Sequence, residues 1–401
     1  MAPSDGLLAI HNVSVFDGTG GLPMHDAAVV IEHGRISWIG PQASCPVPTD
    51  RSIDGKGGHL LPGLINCHVH LCNDGTADFF AQARDDSPSL ATARAFNSLY
   101  ETVRSGVTTV RDCGAANGTV VELARAVRSG LVEGPRILAA GRVITMTGGH
   151  GHFIGREADG PDGVRYATRL EIKLGADFIK TMATGGVLTP GVTPTQTALQ
   201  LDELESIVRE AHNAGKRVAT HAIGNEGIKN ALRAGVDSIE HGFYLDDEAL
   251  ELALDKGTFL VPTLIAVNRI VEGGVEGGIP HWVVEKAESE SGHHRESFGA
   301  AVRSGMRIAA GTDAGTPFNP HEALAVEVGL MVEYGLRPID ALLAATKHAA
   351  ESLGIDHLVG TVEVGKAGDV VIVAGDPLSD VRALSAVRLV AKDGRLFRNE
   401  L

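Results

Sequence analysis

Along most of this chain, short apolar runs alternate with longer stretches whose apolar residues recur every three to four positions. Eight of the short runs read as strands: LLPGLINCHVH (60–70), GVTTVRDCG (106–114), PRILAAGRVI (135–144), ADFIKTMA (176–183), KRVATHAIG (216–224), VDSIEHG (236–242), GTFLVPTL (257–264) and MRIAAGTDAG (306–315). Amphipathic stretches such as LDELESIVREAHNAG (201–215) and PIDALLAATKHAAESLG (338–354) lie between or after them. Eight β–α alternations predict an α/β protein with a parallel (β/α)8 TIM-type barrel rather than an open sheet.

The chain ends follow another pattern. LLAIHNVSVFD (7–17), AAVVIEHGRISWIG (27–40) and RSIDGKGGHLLPG (51–63) carry β-branched residues with glycine-rich breaks and no helical period. The last forty residues look alike, with Lys392-Asp393-Gly394-Arg395 as a hairpin signal. We therefore expect one small β-sandwich domain built from 1–60 and 359–401, flanking a barrel over 61–358. Between the seventh and eighth strands a longer stretch, 266–305, contains EGGVEGGIP and ESESGHHRES. It reads as a mobile loop with a helix, and in a sharper reading as a lid over the site.

Composition narrows the function. Hydrophobic residues make up 43% and charged residues 21%, an ordinary globular balance. The 35 Lys+Arg against 50 Asp+Glu give a net charge of -15, which excludes a polyanion-binding surface and a polybasic membrane anchor. Four cysteines (Cys45, Cys67, Cys72 and Cys113) form no C-x-x-C pair and no disulfide framework. The N-terminus has no basic region leading into a long apolar stretch, and no segment reaches about 18 continuous apolar residues. A reducing cytoplasm is the expected compartment. A homo-oligomer is expected only on base rates.

Unusual residues collect at the strand ends, which in a barrel converge on one mouth. His68 and His70 share one face of the first strand, Val69 the other, so both imidazoles can clasp one divalent metal. An isolated H-x-H is more often two solvated histidines, but this one follows the buried run LLPGLIN. Lys180 closes the fourth strand. As an ammonium it has no lone pair, yet a neutral, desolvated lysine can add carbon dioxide and become a carbamate bridging two cations. A lysine that merely caps a strand is the plainer alternative. His221 and His241 end the fifth and sixth strands, where either alone reads as a core histidine. Asp313 follows the eighth, where it can ligate a metal and accept a proton, or act as a helix N-cap. Nitrogen and oxygen donors of this kind favour Zn2+, ahead of Mn2+, Co2+ or Fe2+, and two ions about 3.5–4 Å apart would share a hydroxide.

In order, LPGLINCHVH, FIK, THAIG, EHG and GTDAG resemble the amidohydrolase superfamily, and more narrowly its imidazolonepropionase-like and Xaa-Pro dipeptidase (prolidase)-like branch. The closing run GTVEVGKAGDVVIVAGDPL is also typical of that group. The resemblance implies that His68, His70 and Asp313 hold the more buried metal, that His221 and His241 hold the other, and that carboxylated Lys180 bridges them. It implies that Asp313 takes the proton of the attacking hydroxide and passes it to the leaving nitrogen. It also implies that His150, in TMTGGHGH (145–152), contacts the substrate carbonyl, against the plainer reading of a glycine-rich turn. His152 and the pair Gly185-Gly186 are weaker candidates. One departure stands out: dipeptidases of this branch often carry His-Ala-Tyr after the fifth strand, where this chain has His221-Ala222-Ile223.

The expected activity is hydrolysis of an amide-type C–N bond in a small molecule, an aminoacyl or N-acyl amino acid compound. Urea, carbamate or other apolar amide substrates are the alternative. A non-catalytic, metal-stabilised small-molecule binding protein would lack the carboxylate that Asp313 supplies. A phosphate-handling barrel needs basic support that GTDAGTPFNP does not offer.

Overall fold

The structure is a computed structural model that describes residues 6–401. Met1 to Asp5, where the expected small domain and the N-terminal reading begin, lie outside the described residues. In chain order the strands are β1 (Leu7–Val15), β2 (Met24–Glu32), β3 (Arg35–Pro41), β4 (Ile53–Pro62), β5 (Leu64–Val69), β6 (Val107–Asp112), β7 (Arg136–Ala139), β8 (Val143–Thr145), β9 (Gly155–Glu157), β10 (Ile179–Met182), β11 (Val218–Ala222), β12 (Ser238–His241), β13 (Phe259–Val261), β14 (Arg307–Ile308), β15 (Val370–Val373), β16 (Val387–Lys392) and β17 (Arg395–Asn399).

β5–β6–β7 and β10–β11–β12–β13–β14 form two parallel arcs. Two seams join them into a barrel. At one, Asp177 N–H donates to Ala139 O at 2.8 Å; at the other, Cys67 N–H donates to Ala310 O at 2.8 Å and Val69 bridges Ala314. Every residue of β5, β6, β10, β11 and β12 is buried. A ring covered by helices outside and filled by side chains inside leaves no solvated face, hence near-continuous apolar runs rather than alternation.

The helices show why the period was readable. Leu201–Asn213 buries Leu204, Ile207, Val208 and Ala211, and Glu203 accepts from the Gln200 N–H at 2.7 Å to cap its start. The helix Asn225–Ala234 stops at Gly235, whose φ of 88° a side chain would resist.

β1–β4 and β15–β17 form one seven-stranded sheet in the order β17-β16-β15-β4-β1-β2-β3. β15 pairs antiparallel to β4, with Ile372 opposite Leu60, so the two chain ends meet at the centre of the sheet. The sheet folds over a core of Ile10, Val29, Ile31, Leu60, Ile372 and Leu389, and the tips of its terminal hairpins touch where Gly394 N–H reaches Gly368 O and Gly368 N–H reaches Gly34 O. This is the sandwich expected beside the barrel.

Three local readings change. The third barrel strand breaks into β7 and β8 at Gly141, whose φ is 78° and beside which a Cβ would fall 2.6 Å from the Glu171 carboxylate. The stretch 338–354 is two helices, Pro338–Ala344 and Lys347–Leu353, parted at Thr346. The stretch 266–305 is not a loop with a helix: Leu264–Gly273 and His281–Ser304 are both helical, and only the glycine-rich 274–280 between them is not. Burial of Val283, Val284, Ala287, Phe298 and Ala301 stabilises the second helix despite its polar sequence.

The sandwich docks on the barrel through Arg136, which donates to Asp369 at 2.8 Å and to Asp393 at 2.9 Å. Asp369 is only 4% exposed. Arg136→Met should leave that carboxylate without its cation and cost about 3–5 kcal/mol. An unchanged chemical-denaturation midpoint would show that the pair does not tie the two parts together.

Candidate metal centre

All seven residues singled out from the sequence line one cavity, of about 380 Å3 empty volume: His68, His70, His150, Lys180, His221, His241 and Asp313. Lys180, His221 and His241 lie on β10, β11 and β12, His68 and His70 at the end of β5, and His150 and Asp313 in the loops after β8 and β14. The His68 ring centroid lies 5.6 Å from that of His70 and 5.2 Å from that of His241; His221 lies 4.6 Å from His241 and 4.4 Å from His150. Asp313 Oδ1 is 3.3 Å from Nε2 of both His68 and His70. His68, His241 and Asp313 offer donor atoms within 4.8 Å of one another.

The backbone is bent to achieve this. His241 and Asp313 have φ of 72° and 60°, a left-handed conformation that non-glycine residues rarely adopt. Such strain persists only where surrounding contacts over-determine it. At Asp313 they include its N–H to His68 O at 2.8 Å and the Thr316 hydroxyl to its carbonyl at 2.7 Å.

The outer ring nitrogens are occupied. Nδ1 of His68 meets Glu240 Oε2 at 2.8 Å, Nδ1 of His70 meets Gly114 O at 2.9 Å, and Nδ1 of His241 meets Thr263 Oγ1 at 2.7 Å. These bonds orient the rings and leave Nε2 for the cavity. His221 is reversed: its Nε2 meets Gly185 O at 2.7 Å, which leaves Nδ1.

Burial dominates the charge states. It pushes the imidazoles of His221 and His241 well below the usual range and lowers His68; His150 falls to about 3. For His70 burial acts the same way but is outweighed by Asp313, so the net shift is upward. Lys180 is lowered by desolvation, and its Nζ has no hydrogen-bond partner. Burial alone would raise Asp313, but His68, His70 and Lys180 together hold it below the ordinary carboxylate range.

Sequence reasoning missed the support beneath. Glu240, fully buried, accepts from Arg111 at 2.6 Å and from the Ser238 hydroxyl at 2.6 Å besides meeting His68. Arg111 also donates to Cys67 O at 2.6 Å. The signal was present: Ser238 and Glu240, two apart on β12, and Arg111 on β6 are polar residues in strands whose every residue is buried. Cys113 lies near His68 and Glu240, but Glu240 is already committed to Arg111 and burial drives the Cys113 thiol upward, so this trio is a structural network.

A second chamber opens from the first, sharing His150, His221, His241, Asp313 and Thr316. Its walls are Val187, Leu188, Ile223, Phe243, Val267 and Ile270. Among the described residues, Lys180 is the only lysine or arginine lining either chamber.

Comparison with known proteins places the chain in a family. The amidohydrolase family model covers residues 59–397. This chain belongs to the amidohydrolase family. An ochratoxinase of Aspergillus niger is 31% identical over 412 residues, spanning 94% of this chain and 84% of the relative. An imidazolonepropionase of Ralstonia nicotianae is 26% identical over 94% of both chains. A solved Xaa-Pro dipeptidase with methionine bound in its active site superposes with a TM-score of 0.91 at 34% identity, covering 98% of this chain and 100% of the other. Members of the family are hydrolases acting on carbon–nitrogen bonds of small substrates, and they generally use divalent metals. Among the described residues of this amidohydrolase, no helix is long and apolar enough to cross a membrane.

Two outcomes follow from the electrostatics. Glu240→Gln leaves the Arg111 charge buried without its partner and should cost about 3–5 kcal/mol; a denaturation midpoint equal to that of the parent would refute the pairing. A carboxylate held low in the fold, as Asp313 is, stabilises the fold above the unfolded pKa and loses that contribution as pH falls. Metal-stripped protein should therefore lose stability below about pH 4, and Asp313→Asn should flatten that limb of the stability–pH curve.

Proposed function

We propose that this amidohydrolase hydrolyses an amide-type C–N bond at a two-metal centre built from His68, His70, Lys180, His221, His241 and Asp313. The observation that carries the reading is the pair of buried polar atoms with no hydrogen-bond partner, Lys180 Nζ and Asp313 Oδ1, beside imidazoles that burial keeps neutral. A desolvated amine among neutral nitrogen donors is costly unless a cation or a covalent change completes the site. The donor set fits such a group. His68, His70 and Asp313 would hold one ion and His221 and His241 the other, with Lys180, as a carbamate, shared between them; Zn2+ suits these donors best.

Divalent cations there supply Lewis acidity toward a carbonyl and acidify water near neutral pH. The chain's own residues supply the rest. Asp313, an ionised carboxylate at the mouth, accepts a proton and hands it to the departing nitrogen. His150, neutral and on the wall of both chambers, donates toward the carbonyl oxygen as charge develops there. The apolar walls of the second chamber would shield the reacting atoms from water.

Two substrate readings have separate support. Similarity to an Xaa-Pro dipeptidase supports an aminoacyl or N-acyl amino acid substrate. The lining supports uncharged apolar amides, ureas or carbamates, because among the described residues no lysine or arginine other than Lys180 and no tyrosine lines the chambers to meet a free carboxylate, and Ile223 occupies the wall. A panel of Xaa-Pro dipeptides, N-acyl amino acids and aryl ureas separates them. Turnover of none of these by metal-loaded protein would remove the hydrolase assignment for this group of compounds.

The purified protein should carry about two divalent ions per chain by metal analysis. Lys180→Ala should lose metal, with partial recovery in short carboxylic acids; full occupancy in that variant would exclude a shared Lys180 ligand. Asp313→Asn should lower kcat by about 10²–10⁴-fold, and parental turnover would remove its proton-transfer role.

A further inference from the structure

The His150 imidazole is buried, and whether it can donate into the cavity depends on which ring nitrogen bears a proton. Its Nδ1 lies 2.7 Å from the hydroxyl oxygen of Thr189, a residue with no solvent exposure. The same oxygen accepts the Gly151 N–H at 3.1 Å. A threonine hydroxyl has one proton to give. Among the described residues its only acceptor within reach is Nδ1 of His150.

The opposite assignment, with Nδ1–H donating to Thr189, would leave the hydroxyl proton buried and unpaired. We propose that Thr189 is a positioning residue: it fixes His150 as the Nε2–H tautomer, a neutral donor aimed into the cavity. This rests on the reading of His150 as the group that meets the carbonyl oxygen.

The surrounding loop is built to hold that hydroxyl in place. Lys286, from the helix His281–Ser304, donates its Nζ to Thr189 O at 2.8 Å and to Val192 O at 2.5 Å. The Gly185 N–H meets Gln196 O at 2.8 Å and closes the base of the loop. At Gly186 the loop passes so close to His150 that an added Cβ would fall 2.5 Å from Nε2. Thus the segment read from the sequence as a possible lid contributes a lysine whose two hydrogen bonds anchor the carbonyls around Thr189.

Two variants and one spectroscopic readout test this. Nitrogen-15 spectra of histidine-labelled protein, with the His150 signals assigned by their loss in His150→Gln, report directly which ring nitrogen is protonated. The expected pattern is Nε2–H in the parent and in Thr189→Ser, and a mixture or the Nδ1–H form in Thr189→Val. Thr189→Val, which keeps the side-chain shape, should lower kcat at least tenfold on the best amide of the panel, with KM and metal content within about threefold of the parent; Thr189→Ser should stay near parental.

An Nδ1–H tautomer in the parent overturns the proposal, as does an unchanged Nε2–H pattern in Thr189→Val. If Thr189→Val does not fold, the parent spectrum and that of Thr189→Ser still decide. The expected tautomers together with no turnover of any amide would leave the Thr189 assignment standing and overturn the hydrolase reading instead.

Discussion

Taking polar nitrogen and oxygen atoms out of water at the mouth of the barrel is the constraint on which the rest of this structure depends. His68, Lys180, His221, His241 and Asp313 are all buried or nearly so, and in an apolar interior each charged or unpaired group is destabilising. The fold answers with specific partners. Arg111 and Glu240 neutralise one another beneath His68; Gly114 O, Thr263 and Gly185 O take the outward nitrogens of the other rings. Lys180 Nζ and Asp313 Oδ1 are left over. A site that satisfies its surroundings and leaves its centre unsatisfied is arranged for something other than its own stability.

The same constraint explains what could be read from the sequence. The histidines, Lys180 and Asp313 were legible because they interrupt apolar runs at strand ends, and a barrel brings all strand ends to one rim. β–α alternation made the architecture legible for a similar reason: buried parallel strands advertise themselves as continuous apolar segments. Arg111 and Glu240 were not legible as a pair. They lie on β6 and β12, and only closure of the ring brings their side chains to 2.6 Å. Thr189 and Thr263 were equally hidden, since a threonine carries no sequence mark of which histidine it will meet.

Secondary structure was misread where tertiary packing overrides local preference. The helix His281–Ser304 carries Gly292, two adjacent histidines and several serines, a composition that reads as a loop. Its stability comes from the face that packs Val283, Val284 and Ala287 against Phe243, Val267 and Ile270. The break between β7 and β8 has the opposite origin: a glycine in a left-handed conformation lets Glu171 approach the backbone and accept the Arg142 N–H at 3.1 Å.

The apolar chamber and the proposed metal centre are mechanically joined in this amidohydrolase. Ala266, Val267 and Ile270, which wall the apolar chamber, sit on the helix Leu264–Gly273, and the residue just before that helix, Thr263, holds His241. The helix start is itself pinned, because buried Glu327 accepts the Leu264 and Ile265 N–H groups at 2.9 and 2.8 Å. Enlarging or repolarising the chamber from this helix therefore shifts the same rigid piece that orients an imidazole at the centre. The opposite wall carries a link of its own: Val187 and Leu188 lie on the loop after β10, which holds His221 through Gly185 O and meets His150 through Thr189. Each wall of the apolar chamber is thus tied to a different imidazole, one to His241 and the other to His221 and His150, so that neither wall can shift without moving a ring at the centre.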